Sequence, residues 1–82
     1  MLSCLFYRAR PARRPRFYRV EISYNLLEEV SVLREWGVAG RPGRSLIRIY
    51  GNLREASHAA DHWRDNALRR GYQPTPVQSI AT

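Results

Sequence analysis

From Arg16 to Tyr24 the chain alternates strictly, with Tyr18, Val20, Ile22 and Tyr24 on one side and Phe17, Arg19, Glu21 and Ser23 on the other. A two-residue repeat of this kind is a strand with one buried face and one wet face. It commits the chain to a sheet that needs a cover. Two further runs follow the same rule: Val30 to Trp36, with β-branched content, and Ser45 to Tyr50, where Leu46 and Tyr50 oppose Ile47 and Ile49. Asn25 to Glu29 separates the first two runs as a turn. Gly37 to Gly43 separates the second from the third, and Pro42-Gly43 suits the central positions of a type II turn flanked by Arg41 and Arg44. Leu2 to Arg8 supplies a short strand ahead of them.

After Tyr50 the period changes. Asn52 can cap a helix starting at Leu53, with Glu55 at the third helical position to complete a capping box. Arg70 is its expected last residue and Gly71 the residue beyond the cap, which gives a rod of about 27 Å. Leu53, Ala56, Ala60, Trp63 and Ala67 form the inner stripe, where alanine lets the helix backbone lie close to a sheet and Trp63 supplies most of the buried area. His58, His62, Asp65 and Arg69 fall on the opposite face. The expected fold is therefore α+β: a single small domain, an antiparallel sheet of about four strands with one long C-terminal helix packed on one face. The domain spans residues 1–72, with a first strand and an arginine-rich loop in 1–15 and the main body in 16–72. Residues 73–82, with Pro74 and Pro76, read as a flexible tail.

Charge is distributed unevenly along this frame. The chain has 82 residues, fourteen arginines, no lysine and seven carboxylates, for a formal net charge of +7. Residues 1–19 hold six arginines and no acid, while the remainder balances eight arginines against seven acids, so the excess is +6 in the first segment and +1 elsewhere. Such a patch implies a polyanionic partner. Guanidinium groups fork onto phosphate and stack on bases, although a bias towards arginine codons produces the same replacement of lysine. Pro11 and Pro15 make Arg8 to Arg16 a loop.

Other classes lose support. Cys4 is the single cysteine, so neither an internal disulfide nor a cysteine-based zinc cage is available. No apolar run reaches the roughly 18 residues of a membrane span, and the expectation is a cytoplasmic monomer without a membrane partner. His58 and His62 stand four apart, but His-Ala-Ala-Asp-His lacks the glutamate of the zincin motif, so no metal is expected. No cofactor loop and no catalytic residue can be assigned.

Several separated motifs carry a resemblance: Arg16-Phe17-Tyr18 opening a strand, Leu33-Arg34-Glu35-Trp36-Gly37, then Gly40 and Gly43, then Glu55-Ala56 early in the helix and Arg70-Gly71-Tyr72 at its end. In order and spacing this resembles the WGR domain, named for a Trp-Gly-Arg signature, over about Arg16 to Tyr72. The resemblance implies a curved antiparallel sheet packed by one helix. It also implies nucleic-acid binding, since in DNA-dependent poly(ADP-ribose) polymerases the module touches DNA near a strand break through its signature Trp and Arg. Trp36 and Gly37 match that signature, whereas Val38 stands at the arginine position. Arg44 likewise replaces a glutamine frequent in the family after the last glycine.

The expected contact set is Arg13, Arg14, Arg16, Arg34, Trp36, Gly37, Arg41 and Arg44, with DNA or another nucleic acid as the partner. Trp36 has two readings: a ring that stacks on a sugar or base, or a core indole sharing a face with Val30 and Val32. The Gly37 to Arg44 segment offers backbone amides and two arginines to a phosphate, or is an ordinary hairpin turn. A module that docks a protein partner on the exposed sheet face is the alternative function.

Overall fold

The computed structural model describes residues 2–25 and 27–75. Five strands and one helix follow in the order β1 (Leu2–Arg10), β2 (Arg13–Tyr24), β3 (Val30–Val38), β4 (Arg44–Tyr50), α1 (Leu53–Arg69) and β5 (Gln73–Pro74). They form one antiparallel sheet in the spatial order β4-β3-β2-β1-β5, with α1 across one face. This is the small α+β domain expected from the patterning, with a fifth strand added.

The core lies where α1 meets the sheet. Phe6, Tyr18, Val20, Ile22, Val30 and Val32 are buried from the strands, and Ala56, Ala60 and Ala67 from the helix. Phe6 and Val30 are each only 1% exposed, and burying a side chain of this type contributes roughly 1.5 to 3 kcal/mol. Alternation in β2 delivers Tyr18, Val20 and Ile22 to the core, while Tyr24 at the strand end is exposed. Trp63 is half-buried against the same cluster. Leu53, expected on the inner stripe, is exposed instead, because α1 enters from the edge strand β4, whose own residues other than Tyr50 are exposed.

The arginine-rich segment is not a loop. β1 runs to Arg10 and β2 starts at Arg13, leaving Pro11-Ala12 as a two-residue connection in which Ala12 takes φ 54°. Arg14 and Pro15 oppose the single residue Ala9 between the pairs Arg8↔Arg16 and Arg10↔Arg13, which is a β-bulge. A proline needs no ladder donor there. Arg10 locks the tip by donating from Nε (3.0 Å) and Nη2 (2.8 Å) to the Arg14 carbonyl.

Two turns also differ from expectation. The β3 to β4 connection turns at Val38 to Arg41, with the Arg41 amide donating to the Val38 carbonyl at 3.1 Å and Gly40 at φ 82°, the third position of a type II turn. Pro42-Gly43 lies beyond it. After α1, the Gly71 amide donates to the Leu68 carbonyl and the Tyr72 amide to the Ala67 carbonyl, both at 3.1 Å, with Gly71 at φ 89°. That pair of bonds is a Schellman motif. It turns Tyr72 into the core and lays Gln73 and Pro74 beside Tyr7 and Phe6, so the expected tail begins as a strand. Residues 76–82 of that tail lie outside the described residues.

Candidate nucleic-acid interface

Antiparallel register assembles the site on the face that α1 partly covers. One row across the sheet reads Phe6, Tyr18, Trp36, Arg44; the next, towards the β1–β2 tip, reads Arg8, Arg16, Val38. Trp36 stacks on Tyr18 (centroids 6.5 Å, interplanar angle 22°), and Tyr72 meets Tyr18 edge-on at 5.9 Å. The C-terminal half of α1 brings Trp63 and Asn66 over these rows, followed by the capping residue Arg70. Together they border an open concavity of about 340 Å³. Arg34 reaches in from β3, its Cζ 3.5 Å from the Trp63 ring centroid and 5.8 Å from that of Trp36. Arg8 lies 4.9 Å from the Tyr72 ring centroid and donates to the Arg70 carbonyl at 3.2 Å, which satisfies the partly negative end of the helix.

Two further concavities continue this one. The second, about 440 Å³, is bounded by Arg16, Trp36, Gly37, Arg41, Gly43 and Arg44. Its glycines have a packing reason: a Cβ on Gly37 would sit 3.0 Å from the Gly43 Cα, and one on Gly43 would sit 2.8 Å from the Phe17 ring. The third, about 330 Å³, is lined by Arg10, Arg13, Arg14, Val38 and Arg41. Arg16 and Trp36 are common to the first two, Val38 and Arg41 to the last two, so the three form one trough along the end of the sheet.

Nine of the fourteen arginines line that trough, and no carboxylate does. The ion pairs among the described residues lie elsewhere: Arg19 with Glu21 and Glu35, and Arg64 with Asp61. The hairpin even pairs arginine with arginine twice, Arg8↔Arg16 and Arg10↔Arg13, an arrangement that costs stability until an anion lies between the charges. Among the described residues no group of three His, Cys, Asp or Glu side chains comes together to hold a metal. Among the described residues no helix is long and apolar enough to cross a membrane.

The eight expected contact residues fall along the trough. Arg16, Arg34 and Trp36 line the first concavity, Gly37, Arg41 and Arg44 the second, and Arg13 and Arg14 the third. The Trp36 ring packs on the core, as one reading had it, and also borders two concavities. Arg8, Arg10, Tyr18, Trp63, Asn66, Arg70 and Tyr72 also line the trough and were absent from the expected set. Trp63 and Asn66, three apart on one helix, carried a signal; the others meet only through register and the turn after α1. The trough takes in the arginine-rich hairpin and the Gly37 to Arg44 turn, where phosphates were expected, and lies apart from the open sheet face, which was reserved for the alternative protein partner.

The family model for the WGR domain matches residues 3–79. The uncharacterized protein y4dW of Sinorhizobium fredii (strain NBRC 101917 / NGR234) is 30% identical over 61 residues. That alignment covers 74% of this chain but 30% of the relative, so the chain spans less than a third of that protein's length. No solved structure matches. With its Trp36-Gly37 signature at the end of β3 and a family match across nearly its whole length, the chain belongs to the WGR domain family.

Proposed function

We propose that the protein is a DNA-binding module that recognises phosphates and nucleic-acid structure rather than base sequence. The observation that carries this reading is the trough itself, nine arginines without a carboxylate, interleaved with Trp36, Trp63, Tyr18 and Tyr72. WGR domains serve as nucleic-acid-binding modules in poly(ADP-ribose) polymerase-related proteins. Val38 removes the signature arginine, and Arg16, Arg41 and Arg44, which line the same concavity as Val38, supply charge in its place. Sequence readout has no vehicle, because the exposed face of α1 carries mixed charge at Arg54, Asp61, Asp65 and Arg69.

Fluorescent nicked, blunt and single-stranded DNA, each titrated at two salt concentrations, tests the proposal. Binding at about 50 mM salt that weakens steeply as salt rises is expected; no binding at about 50 mM, where electrostatic affinity is high, rejects it.

A second reading draws on the open sheet face, where Ile47 and Ile49 of the edge strand are 60% and 52% exposed. A protein partner docked there predicts that Ile47→Glu abolishes partner capture and leaves DNA affinity unchanged. A pull-down recovering DNA without protein counts against it.

A further inference from the structure

The first concavity differs from the rest of the trough in kind. All three concavities fall in the roughly 300 to 1,000 Å³ range of small-molecule sites, so it is the lining of the first, and not its volume of about 340 Å³, that sets it apart. It combines three elements that a purely electrostatic phosphate track does not require. Flat rings, Trp36 and Trp63, stand with the Arg34 guanidinium 5.8 Å and 3.5 Å from their centroids. The arginines at its rim form no ion pair among the described residues. Asn66, a neutral side chain with both a donor and an acceptor, projects from α1 into the same space.

Rings stack planar heterocycles, unpaired guanidinium groups bind phosphate, and a carboxamide reads a base edge through paired donor and acceptor. These three demands meet in one chemical unit, a nucleotide with its base unpaired. We propose that this concavity is a nucleotide pocket, in which Trp36 and the Arg34 plane, itself backed by Trp63, stack the base, Asn66 contacts its edge, and Arg8 and Arg16 hold the phosphate. The pocket rests on the DNA-binding reading and adds to it: affinity then requires an unstacked base as well as charge. Duplex DNA would have to expose a nucleotide to fill it, whereas a single strand offers one at every position.

The chain's two tryptophans, Trp36 and Trp63, both line this concavity, and Trp63 borders neither of the other two, so intrinsic tryptophan fluorescence reports on the site. The experiment titrates the full chain with oligodeoxyadenylate of about ten nucleotides, with an abasic deoxyribose-phosphate oligomer of equal length, and with adenosine monophosphate. Oligodeoxyadenylate is expected to quench the tryptophans and to bind roughly five- to 150-fold tighter than the abasic strand. Asn66→Asp, which sets a carboxylate among the arginines without changing side-chain size, should erase most of that difference. Trp63→Ala should do the same, and thermal melts separate loss of binding from loss of fold. Quenching by the monophosphate at comparable affinity would support the pocket and assign it to free nucleotides; failure of the monophosphate beside tight oligomer binding assigns it to a strand. Equal affinity for the intact and abasic strands overturns the pocket and leaves the DNA-binding reading standing. Absence of binding by either strand overturns both.

Discussion

A methyl group on Gly43 would collide with the Trp36 carbonyl oxygen and lie 2.8 Å from the Phe17 ring, whereas one on Gly51 would meet nothing within 4 Å. Gly43→Ala should therefore destabilise the domain by roughly 1 to 3 kcal/mol, the usual cost of overpacking. Gly51→Ala should range from neutral to about 1 kcal/mol stabilising. Denaturant titration of both variants checks the contrast, and equal stabilities would remove the packing explanation of this glycine. Ala12 presents the opposite case, a Cβ held at φ 54° in the Pro11-Ala12 turn. Relieving a left-handed alanine gains about 1 to 2 kcal/mol and costs about 0.4 to 1 kcal/mol in unfolded-chain entropy, so Ala12→Gly should stabilise by roughly 0.5 to 1 kcal/mol. The melting temperature should rise by about 2 to 8 °C. A fall would mean that the turn carries no strain at this residue.

The helix was the most legible element because its boundaries are local. Asn52 accepts the Glu55 amide at 2.9 Å, as the sequence implied, and the chain leaves through Gly71. Asn52→Ala should cost about 1 kcal/mol through the lost cap. Gly71→Ala should cost about 0.5 to 1 kcal/mol, the left-handed penalty less the unfolded-chain entropy gained, since the nearest atom to an added Cβ is Arg8 Cδ at 3.7 Å and leaves room. Urea denaturation curves read both, and a neutral Gly71→Ala would contradict the Schellman geometry. The β1–β2 hairpin was illegible for a corresponding reason. Pro11 and Pro15 signal interruption, yet a turn absorbs one and a bulge the other, and only the pairing of Arg8 with Arg16 reveals which. Likewise Trp36 was visible as a motif, while the ring and amide opposite it, Trp63 and Asn66, arrive from α1. Their approach to Arg34 depends on how helix and sheet dock, which no local pattern encodes.

Across the whole molecule the formal charge of +7 understates the field at the trough, because the neutralising acids are placed away from it. Glu21 and Glu35 pair with Arg19, and Asp61 pairs with Arg64. A uniformly basic surface would lose affinity evenly as any arginine is removed; a trough would not. If about four phosphates are neutralised on duplex DNA, the slope of log affinity against log salt should be near −3.6. Arg41→Ala and Arg44→Ala, at the centre of the trough, should each make that slope shallower by about 0.9. Arg54→Ala and Arg69→Ala, exposed on α1 outside all three concavities, change net charge by the same amount and should leave the slope unaltered. Salt titrations of the four variants separate the cases, since equal slopes throughout would mean that binding follows total charge and that the placement of arginines on this face is immaterial.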